Sequence, residues 1–384
     1  MKNLFKLLSV FSFILIVFAF TLTSVGFCTA CAQVSVESKA CYLYDFNTGT
    51  EIYKHNENER LQIASMTKIM LLDLVYENVE NNNLDINEKI IVSENASSMG
   101  GSQVFLENGG SYLVSDLIKS VTVASANDAS VALAERLYGS EEECVKKMNE
   151  KAESLGLKNT LFANCTGLPK PMQYSSAKDI VMIFCDLIKH DSYFDYSNIW
   201  MDKIEHSKNT TEIANTNKLI KYYQGCDGGK TGFTNDAGFC LTATAKRGNM
   251  RLVSSVIGAP DSKVRFKESS NLLNYGFNSF VNKAVLDKNI PLDGKIDVLN
   301  GKIKQVEVVP ENNFYVFSAR NGNDKIECDY QTNNVSAPVN KGDVVGKATI
   351  YKNGVLVGSV NLVSNANVEK MSYFDYIIEI SKNM

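Results

Sequence analysis

Histidine, tryptophan and proline are scarce in this chain of 384 residues, which contains three histidines, one tryptophan and six prolines. So few histidines disfavour a catalytic or metal site built on imidazole. Six prolines and 24 glycines leave little room for long flexible linkers. Neither sign of charge dominates, because 39 Lys and Arg stand against 43 Asp and Glu. The formal net charge of −4 argues against a general nucleic-acid-binding protein, so no nucleic-acid partner is expected.

What the sequence does contain is typical of a folded, globular protein. Hydrophobic residues make up 45% of the chain and charged residues 21%, which excludes a disordered or fibrous protein. At roughly 150 residues per domain, a chain of this length is expected to form two or three domains.

The first 32 residues have the pattern of a secretory signal peptide. Lys2 and Lys6 precede an apolar run from Leu7 to Phe20, and small residues follow up to Ala32. This pattern predicts cleavage after Ala32 and export from the cytoplasm. An N-terminal membrane anchor is the alternative, because the apolar stretch can be extended to Phe27.

Nine cysteines are present, and they do not form a disulfide framework. Cys28 and Cys31 leave with the signal peptide, so seven remain, an odd number with no regular spacing. We expect most of these to be buried as small hydrophobic side chains. Cys226 and Cys240 flank a predicted hairpin that places Phe233 opposite Cys240, which puts Cys226 out of bonding range.

Periodicity divides the chain into a mixed region and an all-β region. Strands are predicted over residues 40–53 and 229–258, and helices over 64–79, 113–137, 141–155, 176–189 and 261–274. This order predicts an α+β domain whose two ends meet in one antiparallel sheet. The predicted divisions are a signal peptide at 1–32, a catalytic domain at 33–278, a small all-β domain at 279–366 and a helix at 367–384.

The predicted C-terminal helix is amphipathic. Its apolar stripe consists of Val368, Met371, Phe374, Ile377, Ile378 and Ser381 or Met384. Five charged residues exclude a membrane-spanning helix, so we expect it to lie in the membrane interface. The alternative is that the stripe packs on the small β domain.

Three short motifs are candidates for carrying chemistry. In Ser65-Met66-Thr67-Lys68, at the start of a predicted helix, a spacing of three puts Ser65 and Lys68 on one face. Ser125-Ala126-Asn127 precedes another helix, and Lys230-Thr231-Gly232 opens a strand. Each motif alone is weak, because such tripeptides occur by chance and Ser125 or Asn127 can simply cap a helix. Their order and their predicted elements together indicate a serine–lysine acyltransfer site.

The sequence around these motifs resembles that of the low-molecular-mass penicillin-binding proteins that are serine-type D-alanyl-D-alanine carboxypeptidases. The matching segments are IASMTKIM, GSQVFLENGGSYLVSDLIKSVTVASANDASVALAE, YSSAKDI and GGKTGFTNDAGFCL. The resemblance covers nearly the whole chain after residue 32, including the trailing β region and the terminal helix. It implies a β-lactamase/transpeptidase-like catalytic domain, with an antiparallel sheet and a helical cluster, followed by a small all-β domain. Gln173 stands where relatives often carry a histidine, and it is assigned no role.

The resemblance also implies roles for the motif residues. Ser65 is the expected nucleophile, Lys68 its base and Ser125 a proton relay. The expected substrate-binding residues are Asn127, Lys230, Thr231, Gly232, Phe233 and Arg265. The backbone N–H groups of Ser65 and Phe233 are expected to form the oxyanion hole. For Arg265, which is placed by counting seven residues past Gly258, the alternative is a solvent-exposed helix residue.

One of these roles follows from chemistry alone. A lysine with an ordinary pKa near 10.4 is almost fully charged at pH 7, so Lys68 can act as a base only if its site depresses that pKa.

The implied substrate is a peptidoglycan stem peptide ending in D-Ala-D-Ala, on the outer face of the cytoplasmic membrane or in the cell wall. β-Lactams are implied as covalent ligands, and no metal or organic cofactor is expected.

Four alternative functions can be compared with these residues. A class A β-lactamase needs a glutamate in an E-x-x-L-N arrangement, and residues 141–178 do not contain one. A transpeptidase or endopeptidase uses the same residues. A nucleotide-binding protein is the third alternative, because GGKT at 228–231 resembles the end of a P-loop. That motif requires Gly at position 224, where this chain has Gln. A non-catalytic cell-wall binding module does not require Ser65 or Lys68, yet both are present.

Overall fold

A computed structural model describes residues 34–382 of the chain. The predicted signal peptide, with Cys28 and Cys31, lies outside the described residues.

A five-stranded antiparallel sheet forms the centre of the mixed region, in the order β2-β1-β9-β8-β7. Its strands are β1 (Ala40–Asp45), β2 (Thr50–His55), β7 (Cys226–Thr234), β8 (Gly238–Arg247) and β9 (Met250–Ala259). Strand β1 pairs with β9, so the two ends of the region meet in one sheet. This confirms the predicted α+β class. Among the described residues, strand β7 lies at the edge of the sheet and pairs with β8 alone.

The region also contains nine helices and two small two-stranded sheets among its described residues. The helices are α1 (Lys68–Glu80), α2 (Glu94–Ser97), α3 (Val114–Lys119), α4 (Asn127–Tyr138), α5 (Glu141–Ser154), α6 (Ala177–Leu187), α7 (Phe194–Ser197), α8 (Leu219–Tyr222) and α9 (Ser262–Ser279). The two small antiparallel sheets pair β3 (Lys89–Ile91) with β4 (Ser111–Leu113), and β5 (Met201–Glu205) with β6 (Thr210–Ala214). Helix α1 is buried from Lys68 to Tyr76. The helix that begins at the first motif is therefore buried in the core, and this packing fixes the position of the motif.

The segment predicted as one helix over residues 113–137 is broken in the middle. Helix α3 is followed by a π-helical turn at Ser120–Ala124, and α4 begins only at Asn127. Ser125 between them has a left-handed backbone with φ +64°. Hydrophobic periodicity continues across the break, so the pattern did not reveal it.

The second region is all-β, as predicted. Its strands are β10 (Phe280–Leu286), β11 (Lys295–Leu299), β12 (Gln305–Pro310), β13 (Phe314–Ala319), β14 (Ile326–Thr332), β15 (Val335–Ser336), β16 (Val344–Lys352) and β17 (Val355–Ser364). Six strands form one sheet in the order β14-β16-β17-β12-β11-β15, and β10 pairs with β13. Buried aliphatic side chains, among them Val298, Ile350 and Leu362, form its core.

The C-terminal helix begins later than predicted. Helix α10 spans Tyr373–Lys382, whereas the prediction placed its start at residue 367. Val368 and Met371 belong instead to the β region, where they are buried, and Val368 forms a β-bridge with Val339. A three- and four-residue spacing cannot distinguish a helix from a short extended segment that packs on a sheet. Within residues 34–382, none of the helices has the length and hydropathy to span a bilayer.

The structure also tests the predictions for the cysteines and for the register of the hairpin formed by β7 and β8. All seven described cysteines are free thiols, and six of them are buried, as expected. The predicted pairing of Phe233 with Cys240 is wrong by one residue, because Phe233 lies opposite Phe239 and Cys240 opposite Gly232. The connection from Thr234 to Gly238 leaves three residues in the loop, which sets this register.

Candidate active site

Ser65 and Lys68 lie side by side at the start of α1. Ser65 is in a 3₁₀ turn, Ala64–Thr67, and Lys68 begins the α-helix. The Lys68 Nζ donates a hydrogen bond to Ser65 Oγ at 3.0 Å and another to the carbonyl oxygen of Thr166 at 2.5 Å. Ser65 is half-buried, whereas Lys68 is fully buried. Ser65 is thus partly accessible, while the neighbouring amine of Lys68 is shielded from water.

Burial changes the protonation of both lysines in the site. It lowers the pKa of Lys68 to about 7, although Cys165 and Asp128 partly oppose the shift. Burial also lowers the pKa of Lys230 well below its ordinary value, with further lowering by the charges of Lys68 and Arg265. A Lys68 of this pKa is half neutral near pH 7, which a general base requires.

Ser125 binds the second of these lysines. The Nζ of Lys230 donates to Ser125 Oγ at 2.7 Å. The left-handed backbone at Ser125 and the break before α4 place this hydroxyl in the site. Ser125 is 3% exposed, so both partners are removed from bulk water.

Asn127 is the first residue of α4, and among the described residues only one of its two side-chain polar atoms has a hydrogen-bond partner. The Nδ2 donates to the carbonyl oxygen of Gly100 at 2.6 Å. The buried Oδ1 has no hydrogen-bond partner within residues 34–382. An unpaired buried amide oxygen costs free energy, and it can accept a hydrogen bond from a ligand N–H.

The third motif lies on β7, directly beside the turn that carries Ser65. A Cβ added at Gly232 would lie 2.5 Å from the carbonyl oxygen of Ile63 and 3.1 Å from the backbone nitrogen of Ser65. Glycine is required here because the strand approaches the turn so closely. Thr231 Oγ1 donates to Thr216 Oγ1 at 2.8 Å. The ring of Phe233 is half exposed and packs on Phe239.

Arg265 is buried against the same strand rather than exposed to solvent. Its Nη1 donates to the carbonyl oxygens of Gly232 and Cys240, both at 3.3 Å. The Nε is buried and has no hydrogen-bond partner in the described part of the chain. Burial lowers the pKa of Arg265 to about 10, so the guanidinium is charged at neutral pH. The alternative of an exposed helix residue is wrong.

Comparison with known proteins identifies the family. A family model described as D-alanyl-D-alanine carboxypeptidase, peptidase S11, matches residues 28–261, and one described as the C-terminal domain of penicillin-binding protein 5 matches residues 280–370. The chain belongs to the peptidase S11 family. The resemblance found in the sequence is thereby confirmed.

Similar relatives and a similar solved structure cover nearly the whole chain. D-alanyl-D-alanine carboxypeptidase DacF of Bacillus subtilis is 37% identical over 349 residues, which cover 90% of each chain. D-alanyl-D-alanine carboxypeptidase DacC of Escherichia coli is 33% identical and covers 88% of this chain and 86% of its own. Penicillin-binding protein 5 of Haemophilus influenzae has a similar structure, with a TM-score of 0.69 and 30% identity, over 88% of this chain and 98% of its own. The predicted fold is therefore confirmed.

Within this S11 site, three contacts come from residues that the sequence did not indicate. Thr166 supplies the carbonyl oxygen for Lys68, and a Cβ at the following Gly167 would lie 2.0 Å from the carbonyl oxygen of Ala64. Thr216 holds Thr231. The Asn-Cys-Thr-Gly sequence at 164–167 is typical of a turn, but no local sequence pattern predicts that this turn lies beside Lys68.

Two further residues organise the loops that border the S11 site. The Asp128 carboxylate accepts the backbone N–H groups of Val104 and Leu106, each at 3.1 Å from Oδ2. Gln173, which was assigned no role, accepts the N–H groups of Ala163 and Asn164 through Oε1. Both side chains therefore fix loop backbone.

Residues 34–382 contain no cluster of three or more histidine, cysteine or acidic side chains suited to a metal ion. His190 contacts Asp73 and Glu80, and His206 contacts Tyr112, so neither belongs to the serine–lysine site. The arrangement suits acyl transfer through serine.

Proposed function

We propose that this protein is a serine-type D-Ala-D-Ala carboxypeptidase that removes the terminal D-alanine from peptidoglycan stem peptides. The observation that carries this proposal is the 3.0 Å hydrogen bond between Lys68 Nζ and Ser65 Oγ, with a Lys68 pKa of about 7. A neutral amine beside a serine hydroxyl is the arrangement needed to activate that serine. Membership in the S11 family supports the substrate class.

In the first step, Ser65 Oγ attacks the carbonyl carbon of the penultimate D-alanine while Lys68 takes the hydroxyl proton. The backbone N–H groups of Ser65 and Phe233 stabilise the oxyanion. The C–N bond then breaks, and Ser125 gives its proton to the leaving amine. Ser125 lies 2.7 Å from Lys230 Nζ, so the lysine pair at Lys68 and Lys230 can return a proton to it.

Substrate binding uses the remaining site residues. The unpaired Oδ1 of Asn127 accepts an N–H group of the peptide, and the free edge of β7 receives the peptide as an added strand. Lys230, Thr231 and Arg265 hold the terminal carboxylate. Water then hydrolyses the acyl-enzyme, and the shortened peptide leaves.

Penicillin labelling tests this proposal directly, because the β-lactam amide mimics the D-alanyl bond. Brief exposure should add the mass of one drug molecule, located on Ser65. Ser65→Ala should abolish the labelling with an unchanged circular dichroism spectrum. In parallel, a peptide ending in Lys-D-Ala-D-Ala should release one D-alanine, and the L-Ala-L-Ala form should be inert. Labelling of Ser65→Ala, or turnover of the L,L peptide, would overturn the assignment.

We further propose that the enzyme acts outside the cytoplasm and that α10 rests on the outer face of the membrane. The exposed apolar side chains that support this lie at Tyr373, Phe374, Ile377, Ile378 and Ile380. The helix is tethered to the β region by a Tyr376 Oη to Asn300 Oδ1 hydrogen bond at 2.8 Å and by the Lys304–Glu379 ion pair. A short amphipathic helix of this kind can bury its apolar face at the interface without spanning the bilayer.

A further inference from the structure

One peptide unit, between Thr166 and Gly167, connects Lys68 to a side chain outside the serine–lysine site. The carbonyl oxygen of Thr166 accepts a hydrogen bond from Lys68 Nζ at 2.5 Å. The N–H of Gly167, which belongs to the same peptide unit, donates to Asn164 Oδ1 at 2.7 Å. In a planar trans peptide the C=O and the N–H point in opposite directions. Holding the N–H of this unit therefore also fixes the direction of the carbonyl that Lys68 contacts.

Asn164 is held through both its side chain and its backbone. Its Nδ2 donates to the carbonyl oxygen of Leu168 at 2.8 Å, and its N–H donates to Gln173 Oε1 at 3.0 Å. The side chain is 7% exposed, so water competes little for these hydrogen bonds. Within residues 34–382, Asn164 forms no hydrogen bond with Ser65 or Lys68. It can therefore act on them only through the Thr166–Gly167 peptide unit.

The direction of the Thr166 carbonyl decides how a neutral Lys68 amine faces Ser65. A neutral amine has two N–H bonds and one lone pair, and a carbonyl oxygen can only accept, so one N–H must point to Thr166. Ser65 Oγ lies 3.0 Å from Nζ and carries a proton, which leaves the lone pair free to face it. An amine without the Thr166 acceptor could rotate and turn an N–H toward Ser65. In that orientation it cannot remove the proton.

The same peptide unit also lies against the turn that carries Ser65. Gly167 has φ +81°, and a Cβ added to it would lie 2.0 Å from the carbonyl oxygen of Ala64 and 2.8 Å from the backbone nitrogen of Ser65. The two backbone segments are therefore in direct contact. The Thr166–Gly167 peptide unit thus contacts both the amine of Lys68 and the turn that carries the hydroxyl.

We propose that Asn164 is a positioning residue for acylation, because it holds the Thr166 carbonyl in the direction that orients Lys68. This inference rests on the proposed function, in which Lys68 removes the proton of Ser65. Polarisation adds to the geometry, since hydrogen bonds in series through one amide strengthen each other. Asn164 therefore both directs and strengthens the hydrogen bond that the carbonyl accepts.

The groups that face Lys68 determine the sign of the expected pH effect. Asp128 of α4 and Cys165 of the same turn partly oppose the lowering of the Lys68 pKa, and the charge of Lys68 lowers the pKa of Lys230 on β7. A hydrogen bond to the Thr166 carbonyl favours the charged amine. Weakening that bond while the other groups stay in place should lower the pKa of Lys68 further.

Saturation kinetics of acylation by a fluorescent penicillin test the proposal. Asn164→Ala should lower the first-order acylation rate by about 10- to 100-fold, the loss expected for a misplaced catalytic group. The penicillin concentration for half-saturation should change by less than about twofold, because Asn164 does not contact the ligand. The midpoint of the pH profile should move down by about half to one pH unit, as expected for weakening one hydrogen bond to a charged group.

The conservative variant Asn164→Asp should rescue the rate. It keeps an acceptor at Oδ1 for the Gly167 N–H, while Gln173 Nε2 still donates to the carbonyl oxygen of Leu168. The acylation rate should stay within about threefold of the parent. Its midpoint should not move down, because a carboxylate near Lys68 favours the charged amine.

Asn149→Ala is the matched control. Asn149 Nδ2 donates to the carbonyl oxygens of Val145 and Phe162, and Oδ1 accepts the Phe162 N–H, so this side chain holds the segment just before the turn. Asn149→Ala should lower the Tm about as much as Asn164→Ala does, because each variant removes buried or half-buried hydrogen bonds. It should nevertheless keep the acylation rate and the pH midpoint of the parent.

A measurement on the parent protein covers the case in which Asn164→Ala does not fold. Thr-Gly pairs occur at residues 48–49, 166–167 and 231–232. Carbonyl-¹³C threonine combined with ¹⁵N glycine therefore selects these three amides in an NMR spectrum. The Gly167 signal should titrate with the midpoint of acylation, and the Gly49 signal should not. In Lys68→Ala the titration of the Gly167 signal should disappear.

The outcomes are distinguishable. If Ser65 of the parent is acylated, an Asn164→Ala rate and midpoint equal to those of the parent would overturn the positioning role. Equal changes in Asn149→Ala would do the same, because they would make the effect a general loss of stability. A Gly167 signal that does not follow the acylation midpoint would also contradict it. If penicillin does not acylate the parent at all, the proposed function fails, which is a separate result.

Discussion

At the scale of single residues, the site depends on two buried lysines. Lys68 and Lys230 are both shielded from water, and the charge of Lys68 further lowers the pKa of Lys230. Lys68 contacts Ser65, whereas Lys230 contacts Ser125. The two serines therefore have separate amine partners. This division suits a reaction in which one hydroxyl loses a proton and the other supplies one.

The pKa of Lys68 predicts the pH dependence of acylation. Because the base must be neutral and its pKa is lowered to about 7, the acylation rate should rise about tenfold per pH unit below 7 and level off above it. Stopped-flow labelling with a fluorescent penicillin between pH 5 and 9 measures this profile. Lys178→Ala, an exposed lysine paired with Glu51, should leave the midpoint unchanged. A midpoint above pH 9 would contradict the role of Lys68 as the base.

Arg265 should discriminate between the two kinds of ligand. Arg265→Ala should reduce kcat/KM for the D-Ala-D-Ala peptide by roughly 10- to 100-fold, the loss expected for a charged hydrogen bond to the terminal carboxylate. Acylation by a penicillin without a matched carboxylate geometry should fall less. Arg247→Ala is a suitable control, because Arg247 donates to the carbonyl oxygen of Gln224 instead. Equal losses on peptide and penicillin would mean that Arg265 only supports the strand.

At the scale of secondary-structure elements, the edge strand and the broken helix position the chemistry. Strand β7 has one free edge, and Gly232 lets it approach the turn that carries Ser65. The break between α3 and α4 turns Ser125 into the site. A continuous helix over residues 113–137, as the sequence predicted, would leave this hydroxyl on a regular helix surface. The interruption thus allows Ser125 Oγ to accept the hydrogen bond from Lys230 Nζ.

The C-terminal helix leads to a prediction with two truncations. A chain ending at Ser372 keeps Val368 and Met371 in the β region, so it should stay folded and active and should no longer sediment with washed membranes. A chain ending at Asn367 loses both buried side chains and should have a lower Tm, because removing buried aliphatic residues leaves cavities. Sedimentation and thermal unfolding of the two truncations measure these effects. If the full-length protein does not sediment with membranes, α10 is not an anchor.

At the scale of the whole molecule, the all-β region contacts the α+β region through hydrogen-bonded polar groups. Asn282 of β10 donates to both carboxylate oxygens of Asp45 in β1, at 2.8 and 3.0 Å. Burial raises the pKa of Asp45, so this carboxylate depends on its donors. Arg320 of the β region also donates to the carbonyl oxygen of Phe277 at 2.5 Å. These contacts predict a stabilising role for the β region, separate from catalysis.

Removing the β region should therefore lower stability more than activity. A chain ending at Asn278 should lose at least about 1–3 kcal/mol of unfolding free energy, the cost of leaving a buried carboxylate without its amide donor. Asn282→Ala in the full chain should reproduce part of this loss in urea unfolding. Both proteins should be acylated by penicillin at close to the parent rate. Failure of the shortened chain to react while folded would place part of the active site in the β region.

The sequence by itself determined the three motifs, the α+β class, the all-β second region and the family resemblance. These depend on short-range spacing, which periodicity and tripeptide patterns record directly. The tertiary structure alone decided that Ser125 binds Lys230, that Thr166 and Thr216 support the site, and that Val368 belongs to the β core. It also decided the pKa of Lys68 and the burial of Arg265. Burial and hydrogen-bond partners arise where segments distant in sequence pack together, so no local pattern records them.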